Sequence, residues 1–316
     1  MTELIKVATY GYPEVIPVMT GILPAAWMKY RDDLREIAEE YSDLVADRRT
    51  EETYDRLPVP SYHKGEWTDP WGCVWTNTVE GMEAIVTGHP YPTRESVKDL
   101  KKPAQPGGFP HGFMYLRLED LRGFEEIMLD FAEEAPELQT VIDTVLEYNL
   151  ECADHVLKNY PHPMMFFGDD LGHQKALPIS PAKWRKYLKP CFAAIYAKFK
   201  AAGKYIFMHT DGCIWEIMPD LQEVGVDIIN VQYRANGLDN LERVCKGRIP
   251  IHLDLDRQLM PFGTPAQIDE HVYTCIRTLG MKEGGLSINI EIGPDYPLEN
   301  IRALFAAVRK YRTMYS

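Results

Sequence analysis

From about residue 112 onward, short unbroken runs of large apolar residues alternate with longer stretches in which apolar residues recur every third or fourth position. The runs are Phe113-Met114-Tyr115-Leu116, Met164 to Phe167, Tyr205 to Met208, Val226 to Val231, Ile249 to Leu253 and Leu286 to Ile292. Each is bounded by Gly, Pro or Asp, and each reads as a strand. Continuous rather than alternating apolar runs suit strands buried on both faces of a parallel sheet. The stretches between them carry helix starts. Ser180-Pro181 offers an N-cap hydroxyl followed by proline at the first helical position, and Thr264-Pro265-Ala266-Gln267 adds a glutamine for a capping box. Trp184, Leu188, Phe192, Ile195 and Phe199 form one stripe, in a helix that Pro190 is predicted to bend or split. Leu298, Ile301, Leu304, Phe305 and Val308 form another after Asp295-Tyr296-Pro297. Both stripes read as core packing.

The N-terminal third is less regular. Val15 to Met19 is the best further strand, Trp27 to Tyr41 reads as a helix, and Val74 to Thr78 with Ala84 to Thr87 reads as a β-hairpin. Lys101 to Gly108 is a Pro/Gly-rich connector. Repeating strand–helix units build either a closed barrel or an open doubly wound sheet. No strand is followed by Gly-x-Gly-x-x-Gly, which weakens the dinucleotide-binding option. The expected fold is therefore α/β, a (β/α)8 TIM-type barrel with an N-terminal helical and β-hairpin extension. Residues 1–316 read as a single domain, with about 1–110 as extension and first strands and about 111–316 as the remaining barrel.

Charge narrows the partners. A net charge of −13 is unsuited to a nucleic-acid surface, which needs a concentrated basic face. No run approaches the roughly 20 apolar residues of a membrane span, and the first residues lack the pattern of a signal peptide. The 6 cysteines (Cys73, Cys152, Cys191, Cys213, Cys245, Cys275) show no Cys-x-x-Cys spacing and read as reduced, mostly buried thiols of a cytoplasmic protein.

The chemistry gathers where apolar runs stop. Met164 to Phe167 ends in Gly168-Asp169-Asp170-Leu171-Gly172-His173, and Tyr205 to Met208 ends in His209-Thr210-Asp211-Gly212. In an α/β barrel such strand ends point into the active site. Asp169, Asp170 and His173 are candidates for lining the substrate side and protonating a leaving group. The competing reading of the Asp pair is a hydrogen-bonded loop cap, and that of His173 is a structural histidine. Trp67 and Trp71 are candidate pocket residues or simple core residues.

These segments, with Ser180-Pro181, Lys200 to Gly203, Glu223-Val224-Gly225-Val226-Asp227, Gly263-Thr264-Pro265 and Pro294 to Asn300, resemble the uroporphyrinogen decarboxylase superfamily over roughly residues 112–312. The resemblance implies a distorted (β/α)8 barrel and one of two chemistries: cofactor-free decarboxylation, or methyl transfer with a corrinoid, usually assisted by zinc. Pro24 to Arg31 keeps Trp27-Met28 and one arginine but lacks the Arg-Gln-Ala-Gly-Arg pattern that grips the substrate carboxylates of the decarboxylases. In the methyltransferases zinc is held by a His-x-Cys pair and a late cysteine; here His209-x-Asp211 and Glu291 stand in those places. His with two carboxylates is an acceptable zinc set and a stronger Lewis acid than a thiolate set. Cys213 is an alternative ligand, though a buried thiol fits it better. The resemblance thus implies transfer of a methyl group from a small methoxylated or methylated substrate to Co(I) of a partner corrinoid protein. Zinc would be held by His209 and Glu291, with Asp211 as the third ligand or as a residue that orients the ligands. The alternatives are a decarboxylase of uroporphyrinogen or another carboxylate, and a non-catalytic corrinoid- or ligand-binding member.

Overall fold

The computed structural model describes residues 2–316. Nine strands run in chain order: β1 (Val18–Ile22), β2 (Gly65–Thr68), β3 (Val74–Asn77), β4 (Ile85–Gly88), β5 (Met164–Gly168), β6 (Tyr205–His209), β7 (Ile228–Gln232), β8 (Ile251–Asp254) and β9 (Leu286–Ile292). The chain falls into two compact units, one of residues 1–65, 76–85 and 232–316, the other of residues 66–75 and 86–231. In the first unit β1, β9 and β8 lie side by side and parallel. In the second β5, β6 and β7 do the same. These strands are largely apolar, with helices in the connections, as parallel pairing requires. Among the described residues the strands of this parallel kind number six rather than eight.

The second unit's core is aromatic. Phe167 of β5 meets Phe109, Phe113, Tyr196 and Phe199 at ring-centroid distances of 4.9 to 5.4 Å. The Pro190 expectation holds: Trp184–Leu188 winds as a π-helical turn between Pro181–Lys183 and the α-helix Lys189–Ala201. A proline ring cannot sit against the carbonyl four residues back, and a wider turn relieves the clash. Ser180 caps the start of this segment, and Thr264 and Gln267 form the capping box of Pro265–Leu279.

Two expectations are corrected. Phe113 to Leu116 is not a strand; Tyr115–Arg122 is a helix. The apolar run is ambiguous by itself, and the carboxylate of Asp169 resolves it by accepting the backbone N–H groups of Met114, Tyr115 and Leu116. The early strand begins at Val18 rather than Val15, because Pro17 has no N–H for the ladder. The expected hairpin is present as β3 and β4, and β2 adds a third strand to it in the order β2-β3-β4. Among the described residues no helix is long and apolar enough to cross a membrane.

Candidate metal centre

In the second unit the parallel register sets Gly168, the last residue of β5, beside His209, the last of β6, and His209 beside Asn230 of β7. The sheet therefore brings the ends of β5 and β6 to one edge, with the middle of β7 beside them. Asp170 follows β5, and its Oδ1 accepts the backbone N–H of Asp211 at 2.9 Å. A third element enters from the connector. Gly112 N–H bonds to the Gly168 carbonyl at 2.8 Å, and this lays the preceding His111 ring over Gly168. A side chain at 168 would meet that ring, since a Cβ there would lie 2.6 Å from His111 Cδ2.

The result is a compact donor set. His111 Nε2 stands 3.1 Å from Asp170 Oδ1, and His209 Nε2 stands 3.6 Å from the same oxygen. One ligand atom from each of the three residues lies within 4.8 Å of the others. Zinc bonds of about 2.0–2.2 Å to nitrogen and oxygen place neighbouring ligand atoms about 3–3.6 Å apart, so the set fits such an ion with small adjustment. The tautomer fits as well. His209 Nδ1 lies 2.7 Å from Asn230 Oδ1, and an amide oxygen only accepts, so Nδ1 carries the proton and Nε2 turns its lone pair to the carboxylates. Burial pushes the Asp170 carboxyl up, but the His111 hydrogen bond and the His111 and His209 rings outweigh it and hold the group below its ordinary value. An ionised carboxylate is what a cation needs.

The sequence-predicted residues fall in several places. Asp211 stands by the cluster, its carboxylate 3.6 Å from His209 Nε2. Asp169 is fully buried and points the other way, into the start of the helix Tyr115–Arg122. Burial pushes its carboxyl up to about 7, against the pull of the Leu116 and Tyr115 N–H groups. His173 is exposed, stacked on Phe124 at 5.4 Å, and lines a largely apolar cleft of about 700 Å³. Glu291 lies in the first unit and pairs with Arg257 at 2.7 Å. Cys213 is buried, which pushes its thiol up, and all 6 cysteines are free. Trp71 is buried edge-on to Tyr148, and Trp67 stacks on Trp75.

Two site residues went unread in the sequence. His111 sits in the irregular Gly107-Gly108-Phe109-Pro110-His111-Gly112 stretch, whose only signal is a lone histidine between Pro110 and Gly112. Asn230 interrupts an otherwise apolar strand, and such an amide inside a buried run asks for a polar partner.

The model of the uroporphyrinogen decarboxylase (URO-D) family matches residues 114–311. No curated protein sequence matches the chain. Among solved structures, a methyltransferase from Methanosarcina mazei is similar with a TM-score of 0.66 at 18% identity, covering 98% of each chain. A dihydropteroate synthase from Xanthomonas albilineans matches at 16% identity over 52% of this chain and 61% of that one, with a TM-score of 0.36. A sugar phosphate isomerase/epimerase from Parabacteroides distasonis matches at 11% identity over 94% and 95%, with a TM-score of 0.42. At these identities the similarity concerns the fold, and the last two are too remote to bear on the site. The family match spans well over half of the 316 residues, with both Asp170 and His209 inside it, and the chain belongs to the uroporphyrinogen decarboxylase family.

Proposed function

We propose that this protein is a methyltransferase that moves a methyl group from a small methoxylated or methylated substrate to Co(I) of a corrinoid protein, assisted by zinc held in the second unit. The observation that carries the reading is the convergence of His111, Asp170 and His209 at the ends of β5 and β6. These three residues would be the ligands, with Asp211 adjacent as a fourth donor, which revises the set His209, Asp211 and Glu291 expected from the sequence. Family membership and the fold shared with a methyltransferase support the reading.

A zinc ion there would act as a Lewis acid on the substrate heteroatom, lowering the cost of breaking its bond to the methyl carbon. The chain's own residues do the rest. Asn230 holds the His209 ring in the tautomer that presents Nε2. Asp170 receives the His111 ring and the Asp211 N–H on one oxygen, which keeps the three ligand groups in place before any ion arrives. A corrinoid acceptor would supply the electron pair for the new bond to the methyl carbon. The old bonding pair would stay on the substrate heteroatom, which would take up a proton from solvent. Asp169 is assigned to folding rather than to chemistry, and His173 to the rim of the apolar cleft.

The test is metal analysis of the purified protein beside its His111→Ala and His209→Ala variants, with transfer to Co(I) cobalamin followed by absorbance. One zinc per chain, lost in both variants together with activity, is expected. A folded, metal-free protein with full transfer activity would overturn the metal assignment. Decarboxylation of uroporphyrinogen at an enzymatic rate, above about 0.1 per second, would overturn the reaction.

A further inference from the structure

The pairing of β5 with β6 runs on past Gly168 and His209 into the two loops, with one residue added on the β5 side. Asp169 donates its N–H to the His209 carbonyl at 3.1 Å, and the Asp211 carbonyl is then taken by the Gly172 N–H at 3.2 Å. Three residue steps on one loop thus face two on the other, whereas the register of the strands would send the Leu171 N–H to Asp211. Such an added residue disrupts the ladder locally and re-aims the side chains beside it.

Two backbone donors are displaced. The Asp211 N–H, which an unbroken ladder would give to the Asp169 carbonyl, goes to Asp170 Oδ1 at 2.9 Å, and this seats the carboxylate that faces His111 and His209. The Leu171 N–H goes to Thr210 Oγ1 at 2.9 Å. Both residues are buried, so this hydroxyl is what spares the Leu171 N–H the cost of lacking an acceptor. The same hydroxyl donates to the Asp211 carbonyl at 3.3 Å, and the Thr210 N–H reaches the carbonyl of Asn230, the residue that orients His209. The loops also have no slack. Gly212 has a φ of +85°, and a Cβ there would overlap the Gly172 backbone.

We propose that Thr210 is a positioning residue that fixes the donor spacing of the metal centre and thereby the size of the ion it accepts. The inference rests on the metal reading above. With Asp170 Oδ1 held 3.1 and 3.6 Å from the two histidine nitrogens, the donors suit a small ion such as zinc. A larger ion such as cadmium has to spread them, and a site discriminates by size only as far as its ligands resist spreading. Without the hydroxyl the Leu171 N–H is buried with no acceptor, the added residue is free to shift, and Asp170 shifts with it.

Competition of zinc and of cadmium against a chromophoric chelator, on the full chain, reads both affinities. The parent should favour zinc. Thr210→Val, close to threonine in volume, and Thr210→Ala both remove the hydroxyl; each should bind zinc about tenfold or more weakly and move the zinc-to-cadmium ratio about tenfold toward cadmium. Thr210→Ser keeps the hydroxyl and should keep the parent's affinity and ratio. A threonine with a merely structural role would lower the melting temperature, followed by circular dichroism, and leave the ratio where it was. The inference is overturned if a folded hydroxyl-free variant keeps the parent's affinity and ratio, or if the serine variant loses them as the valine variant does. A parent that binds neither ion overturns the metal reading and this inference with it, so the two failures are told apart by whether the parent or the variants depart from expectation.

Discussion

His209 donates from Nδ1 to the side-chain oxygen of Asn230, its neighbour across the β6–β7 ladder, over 2.7 Å. That single bond decides which ring nitrogen faces Asp170 and Asp211. Asn230→Ala leaves the proton free to move to Nε2 and the ring free to turn. Zinc affinity should fall about 10- to 100-fold, the usual cost of losing a partner that orients a ligand. Asn230→Asp, whose oxygens still accept the Nδ1 proton, should recover most of it. Competition with a chromophoric chelator measures both. Equal affinities for the parent and the Ala variant would remove Asn230 from the site.

The adjacent aspartates separate folding from chemistry. Asp169→Asn replaces one accepting oxygen by an amide group that only donates, so either the Leu116 N–H or the Met114 and Tyr115 N–H groups lose their acceptor, and a loss of roughly 2–4 kcal/mol is expected. Asp170→Asn should melt close to the parent while losing zinc. Thermal unfolding and metal content, measured on both variants, give opposite patterns if the assignment is right. Matching patterns would show that the two side chains share one role.

Gly168→Ala tests the approach of His111. The added methyl would begin 2.6 Å from the His111 ring, so the ring must move off the cluster. Because Gly168 is an ordinary strand residue outside the positive-φ set, the backbone accepts alanine without strain. A drop in metal affinity of about tenfold or more, with melting little changed, is expected. Unchanged affinity would mean that His111 is dispensable as a ligand.

Acid should destabilise the first unit through His271. Its Nε2 accepts the backbone N–H of Asp256 at 3.0 Å, which only a neutral ring can do in this pose. Burial lowers its pKa from the ordinary 6.5 to about 4. The folded state thus resists a proton that the unfolded state takes up. Stability from this group is complete above pH 6.5 and is lost as pH falls toward about 4, by about 3 kcal/mol in all. Urea unfolding of His271→Gln across this window should show a shallower pH dependence than the parent. Identical slopes would show that the ring titrates normally.

The chain's own pattern was enough for the parallel strands β5, β6, β7, β8 and β9, because strands buried on both faces are near-continuous apolar runs. It also marked the caps at Ser180 and Thr264 and the break at Pro190, each of which acts within one turn of backbone. His209 and Asp170 were visible as polar residues just past such strands. Beyond that range the sequence was ambiguous. Nothing local distinguishes Asp169 from Asp170, yet one turns into a helix start and the other toward two histidines. Phe113 to Leu116 reads equally well as strand or helix until a carboxylate 53 to 55 residues away in the chain caps it. The partnership of His111 with His209 depends on a backbone bond between Gly112 and Gly168, and that of Glu291 with Arg257 on packing within the first unit. Local sequence sets which residues are buried and where elements begin. Which side chains meet is decided by contacts between distant segments, and those form only when the chain has folded.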